Sequence, residues 1–282
     1  MSDQIILHLK GGLGNQLFQL ANGLSLSIKF KKNLIINNYY LKKNIPERSL
    51  EIDKLLKKLY ICNIKINLIN KYFPFLFLND QYIFEKNFFN YKIINNLNKN
   101  KNNHIIGYWQ SFLYFKDVSD IIYNLIQDYF QTLNISFIPN RNSLAIHIRK
   151  GDYLSKRNLK VYFNLNEYYI KAIKIIILNK KINNIYIFTD DKNWVIKNLL
   201  SELKAFHCNL IFQEDVNSWH DLYLMTKFEN FIMSNSSYSW WAAWIISNTN
   251  NNSLVVSPSK WFCKFKDNLN ISQRQLKSWI IV

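Results

Sequence analysis

Gln4-Ile5-Ile6-Leu7-His8-Leu9 runs without a break into Lys10-Gly11-Gly12-Leu13-Gly14-Asn15-Gln16, an apolar run followed directly by a glycine cluster. The first six residues read as a buried strand. From Asn15 onward, Leu17, Leu20, Leu24 and Ile28 recur every three or four residues, the period of a helix with one apolar face. Asn33 to Asn37 is strand-like again. Strand, glycine loop, helix and strand make a βαβ unit, which predicts a parallel sheet. The glycines carry weight because the 282 residues contain only six, and Gly11, Gly12 and Gly14 are three of them.

The same alternation returns in the second half. Strands are expected at 143–148, 185–188, 209–212, 231–233 and 254–256, with helices at 167–178, 194–203, 221–228 and 238–246. Ile138-Pro139-Asn140 reads as a hinge between an N-terminal half, 1–138, and a C-terminal half, 139–282. Residues 44–103 give no clear pattern, and the asparagine-rich run from Asn95 to Asn103 reads as polar surface loop.

A composition of 49% apolar, 16% aromatic and 20% charged residues is that of a globular protein and excludes disordered, collagen-like and coiled-coil chains. The net charge of +17 draws polyanions: nucleic acid, anionic lipid or a phosphorylated small molecule. Cys62, Cys208 and Cys263 are odd in number and far apart, so neither a disulfide framework nor a zinc site is expected. The N-terminus lacks a signal-peptide pattern, and the longest apolar runs, such as Trp240 to Ile246, are far short of the ~18 residues of a membrane span. A cytoplasmic protein is expected.

Four polar segments fall where parallel strands end, the place ligands bind in open α/β sheets. The first is the glycine loop, which feeds a helix N-terminus suited to anions. It is neither a GxGxxG fingerprint, since Leu17 stands at the third glycine position, nor a P-loop, since no GK[ST] follows. The second, His147-Ile148-Arg149-Lys150-Gly151-Asp152-Tyr153, puts His147 and Arg149 on one strand face, and Arg149 offers a planar fork for phosphate. The third is Thr189-Asp190-Asp191, where helix capping competes with ligand binding; the chain has no DxD motif, so a magnesium-dependent sugar-nucleotide site of that type is disfavoured. The fourth, Ser234-Asn235-Ser236-Ser237, opens an aromatic helix and joins hydroxyls to helix N–H groups. Asp221 is a candidate helix cap, and His8, His104 and His207 form no visible constellation.

Lys10 to Gln19, the His-x-Arg-Lys-Gly-Asp-Tyr stretch, Phe188-Thr189-Asp190-Asp191, Asp221 to Met225, Ser234 to Trp241 and Ser259-Lys260-Trp261-Phe262 together resemble the bacterial alpha-1,2-fucosyltransferases of glycosyltransferase family 11, over residues 4 to about 262. The resemblance implies a GT-B-type α/β fold, two Rossmann-like halves with parallel sheets facing a cleft. The N-terminal half would take the acceptor and the C-terminal half the GDP-sugar donor. It further implies metal-independent, inverting transfer of L-fucose from GDP-beta-L-fucose to O2 of a terminal galactose. Arg149 would hold the donor diphosphate, His147 and Asp221 the guanosine, and Ser236 and Ser237 the phosphates. Asn15 would lie near the reacting sugar. Gly12, Gly14, Lys150, Asp191, Asn235 and Tyr238 complete the expected donor set, and Asp152 is the expected base beside the catalytic residues Arg149 and Asn15. Two positions depart from the family: Lys150 stands where Arg is usual, and Ala242 where Gly is usual.

No cofactor is expected, and the expected partners are GDP-fucose and a galactose-terminated glycan. The positive charge suggests peripheral contact with the anionic inner face of the cytoplasmic membrane. Two rivals remain: a transferase of another GDP-sugar, and a basic nucleic-acid-binding protein, which is not expected because many aromatic residues sit in apolar runs.

Overall fold

A computed structural model describes residues 4–43, 47–61, 66–69, 80–85, 91–151, 165–214, 216–262 and 272–282. The chain forms two compact units, 1–134 and 135–282. Each is an α/β unit built on a parallel sheet, the Rossmann-like organisation expected for each half.

In the first unit, strand β1 (Gln4–His8) leads through the glycine loop into helix α1 (Leu13–Phe30) and on to β2 (Asn33–Asn37). The helix starts two residues earlier than its apolar period indicates. Gly12 takes the cap position, and its carbonyl accepts from Asn15 N and Gln16 N at 3.0 Å. Ile28, expected on the apolar face, is exposed near the helix end. Helices α2 (Tyr39–Lys43) and α3 (Asp53–Ile61) precede β3 (Ile66–Ile69), β4 (Gln81–Phe84) and β5 (Asn103–Ile106); α4 (Ser119–Gln131) closes the unit. The sheet order is β3-β2-β1-β5-β4, with every pair parallel. Gly23 lets α1 lie close on this sheet: a Cβ there would stand 2.9 Å from Leu7 Cδ2 and 3.2 Å from Leu34 Cδ1. The asparagine run is also more than surface loop. Asn103 is fully buried, its amide donating to Asn98 O and Lys101 O while its Oδ1 accepts from Asn98 N.

The second unit contains β6 (Ser143–Ile148), α5 (Asn166–Asn179), β7 (Asn184–Thr189), α6 (Lys192–Asn198), α7 (Leu200–Lys204), β8 (Asn209–Phe212), α8 (Ser218–Met225), β9 (Asn230–Ile232), α9 (Ser237–Thr249), β10 (Leu254–Ser257) and β11 (Ile280–Ile281). The helix expected over 194–203 is two short helices broken at Leu199, whose φ of −132° leaves the helical region. Val195, Leu199 and Leu203 still share one buried stripe across the break. Helix α8 begins three residues ahead of expectation because Asn217, not Asp221, is its cap; the Asn217 side chain accepts from Trp219 N and His220 N. The strand order, β8-β7-β6-β9-β10-β11, is that of a doubly wound dinucleotide-binding sheet.

Helix α9 is apolar on all sides, with Ser239 through Ile246 buried, which suits a helix enclosed by its own unit. Trp240, Trp241 and Trp244 are essentially unexposed and meet edge-to-face or stacked. Burial of each stabilises the unit by roughly 2–3 kcal/mol. Ala242, also buried, shows that this packing accommodates one methyl at that position.

Candidate active site

Ligands of an open parallel sheet bind where neighbouring strands lead to helices on opposite sides, beyond their carboxyl ends. In the second unit that point lies between β6 and β9, whose register ends at Ile146 against Ile232. His147, Arg149 and Lys150 follow on one side, Ser234 to Ser237 on the other, and Asp190 and Asp191 leave the adjacent β7. Three of the four polar segments picked out in the sequence therefore converge within one unit.

His147 is buried, its Nδ1 2.9 Å from the fully buried Ser234 Oγ, while Tyr169 Oη donates to its carbonyl. Burial, reinforced by the Arg149 charge, pushes its pKa down to about 3, so the imidazole is neutral. The rings of Tyr238 and His147 meet edge-to-face with centroids 5.5 Å apart, and Tyr238 donates from its hydroxyl to Ser218 O at 2.6 Å. Tyr238 thus ties the start of α9 to the start of α8. Asp221 lies in the first turn of α8 with its carboxylate 3.3 Å from His220 Nδ1. Ser236 caps α9 by accepting from Tyr238 N, which leaves its hydroxyl proton as a donor. Ser237 is the first residue of α9, and Asn235 is buried, donating to Trp261 O.

Asp190 organises the basic loop. Its Oδ2 stands 2.8 Å from Arg149 Nη1, and its Oδ1 accepts from Lys150 N at 2.8 Å. Gly151 makes this possible, because a Cβ there would come within 2.6 Å of Asp190 Oδ2. Lys150 is buried with its ammonium 3.9 Å from the Trp194 ring centre and 3.4 Å from Asn166 Oδ1. Burial lowers its pKa to about 8, against an opposing pull from Asp190. Asp191 caps α6 by accepting from Trp194 N. Asp152 lies outside the described residues, as do Cys62 and Cys263; Cys208 is a free thiol whose pKa burial raises.

In the first unit the corresponding point lies between β1 and β5. Gly11 has φ of +74°, a conformation natural to glycine, and it faces the Asn15 side chain. Two fully buried glutamines from α1 hold the loop. Gln16 donates to Gly11 O and Ser49 O and accepts from Glu51 N. Gln19 accepts from Lys10 N and donates to Gly107 O, so the loops after β1 and β5 are tied together. Gly12 and Gly14 begin α1. These glutamine roles have no local sequence signal beyond their spacing of three on one helix face.

His8 and His104, expected to be unrelated, are joined. His8 Nε2 lies 2.8 Å from His104 Nδ1, and His104 Nε2 lies 3.0 Å from Asp80 Oδ2. Burial drives the His8 pKa down to about 3 and lowers that of His104 against the pull of Asp80. Among the described residues, no three His, Cys, Asp or Glu side chains gather as metal ligands. No described helix is long and apolar enough to cross a membrane.

The chain is 30% identical to an alpha-1,2-colitosyltransferase of Escherichia coli, over 92% of each sequence. It is also 30% identical to the O-antigen biosynthesis glycosyltransferase WbnK of the same organism, covering 96% of this chain and 98% of that protein. Among solved structures it is similar to POFUT1 in complex with GDP, with a TM-score of 0.48 and 9% identity over 88% of this chain and 97% of that one. NodZ alpha-1,6-fucosyltransferase soaked with GDP-fucose aligns with a TM-score of 0.46 and 14% identity over 87% and 93%. The model of glycosyl transferase family 11 matches residues 3–281, so the chain belongs to glycosyl transferase family 11.

Proposed function

We propose that the protein is a galactoside alpha-1,2-fucosyltransferase that moves L-fucose from GDP-beta-L-fucose to O2 of a terminal galactose, with inversion and without a metal. The observation that carries this reading is the convergence of His147, Arg149 and the Ser234–Ser237 turn at the switch point of the second unit, in a family 11 glycosyltransferase. That unit is the donor side in this reading, and the first unit is the acceptor side.

Cleavage of the sugar C1–O bond sends its electron pair to the diphosphate, leaving an oxocarbenium-like sugar. Arg149, pre-oriented by Asp190, meets the developing phosphate charge with the Ser236 hydroxyl and the N-terminus of α9. Neutral His147 and Asp221 contact the guanosine. The galactose O2 attacks the opposite face of C1, and its proton passes to a base, for which Asp152 is the proposed residue. Asn15 acts beside the reacting sugar.

A second reading, favoured by the colitosyltransferase relative, is transfer of a colitosyl group from the corresponding donor. Attachment to an O-antigen type of glycan and peripheral contact with an anionic membrane, suggested by the +17 charge, belong to the same proposal. Incubation with GDP-fucose, GDP-mannose, UDP-sugars and a colitosyl donor, each with galactose-terminated acceptors, tests it. The expected product is an alpha-1,2-fucosyl galactoside by NMR, formed equally well in EDTA. Preference for another donor, or a strong metal requirement, would overturn it.

A further inference from the structure

At the switch point of the first unit, Gln110 reaches across from the end of β5 to the glycine loop that follows β1. Its Nε2 donates to Asn15 Oδ1 at 2.6 Å. The amide nitrogen of Asn15 lies on the other side, against Gly11, where a Cβ would come within 2.4 Å of it. Asn15 is thereby held with its oxygen toward Gln110 and its nitrogen toward the bare Cα of Gly11.

The backbone that carries Gln110 is unusual. Trp109 has φ of +55°, a left-handed conformation that costs a bulky residue on the order of 1–2 kcal/mol. Glu85 holds it there, its Oε2 accepting from Tyr108 N at 2.7 Å and its Oε1 from Trp109 N at 3.1 Å. Ser111 N donates to Trp109 O, and Gln19 fastens Gly107 O. The Trp109 ring packs against Tyr114 with its indole N–H buried and unpartnered, and that packing does not by itself call for a strained backbone clamped from both sides. The constraint acts on the next residue, Gln110.

We propose that Gln110 is a positioning residue, fixed by the Glu85 clamp and the left-handed Trp109, that sets the orientation of the Asn15 carboxamide for transfer. The inference rests on the proposed role of Asn15 beside the reacting sugar. Gln110→Met keeps the volume and removes the donor. Gln110→Glu sets a carboxylate oxygen against Asn15 Oδ1, so the amide must rotate away.

Steady-state kinetics with both substrates, thermal melting, and a cycle of Asn15→Ala, Gln110→Met and the double variant test it. Expected are losses in kcat of about tenfold for Gln110→Met and more for Gln110→Glu, the size that small misplacement of a reacting group produces. The donor KM should stay within about twofold and melting should be unchanged. The double variant should be no slower than Asn15→Ala alone, because the second change acts only through Asn15. Additive losses, or a Gln110→Met enzyme at the wild-type rate beside an inactive Asn15→Ala, would overturn the inference alone. Asn15→Ala at the wild-type rate would overturn the role of Asn15 and this inference with it.

Discussion

Acid should weaken both units, and the size of the effect follows from two buried imidazoles. His8 and His147 each have a folded pKa of about 3 against an ordinary value of 6.5. The unfolded chain therefore takes up protons that the folded chain refuses. Stability is complete above about pH 6.5 and is lost as pH falls toward about 3, with a limiting slope of about 1.4 kcal/mol per pH unit for each histidine. Between pH 7.5 and pH 5 each unit should lose about 2 kcal/mol through its own histidine. His104, also shifted downward, adds in the same direction in the first unit. Urea unfolding at the two pH values, followed by a probe in each unit, measures the loss. His147→Gln should flatten the dependence in the second unit by about one proton, and the imidazole C–H resonances of both histidines should not titrate over this range in the folded protein. A midpoint that holds steady or rises on acidification, or a His147 resonance titrating near pH 6.5, would refute the reasoning.

Three further outcomes follow from close contacts. Gly23→Ala should destabilise the first unit by roughly 1–3 kcal/mol, because its methyl meets Leu7 and Leu34, and calorimetric GDP affinity should be unaffected. Asp190→Ala should raise the donor KM by about tenfold, since Arg149 loses its carboxylate partner and Lys150 N its acceptor; initial rates across donor concentrations measure it. Trp244→Ala should cost the second unit about 3–5 kcal/mol in denaturant unfolding, the usual loss for a fully buried large aromatic residue.

The second unit was largely legible in the sequence because its central strands are buried on both faces. Such strands read as short apolar runs bounded by turn residues, and Ser143–Ile148, buried throughout, falls at the expected boundaries. The break at Leu199 was not legible, since the buried stripe of Val195, Leu199 and Leu203 keeps a helical period across it. In the first unit, β4 is a half-exposed edge strand, Gln81-Tyr82-Ile83-Phe84, without clean alternation. Its neighbour β5 inserts beside β1, a pairing that no local period encodes. The site divides in the same way. His147, Arg149 and Ser236 announce themselves as polar residues at strand ends. The tie from Gln19 to Gly107 and the contact of His8 with His104 span 88 and 96 residues, and only the folded sheet brings them together. Gly23 and Gly107 carried no signal either, because the atoms that forbid a side chain there belong to other strands and loops.

Calorimetric titration of GDP into the wild-type protein and Arg149→Ala tests the proposed donor site most directly. A charge-assisted contact to the diphosphate is worth roughly 1.5–3 kcal/mol, so affinity should fall at least about tenfold in the variant while its melting curve is unchanged. Equal GDP affinity in the two proteins would contradict a donor site at the end of β6.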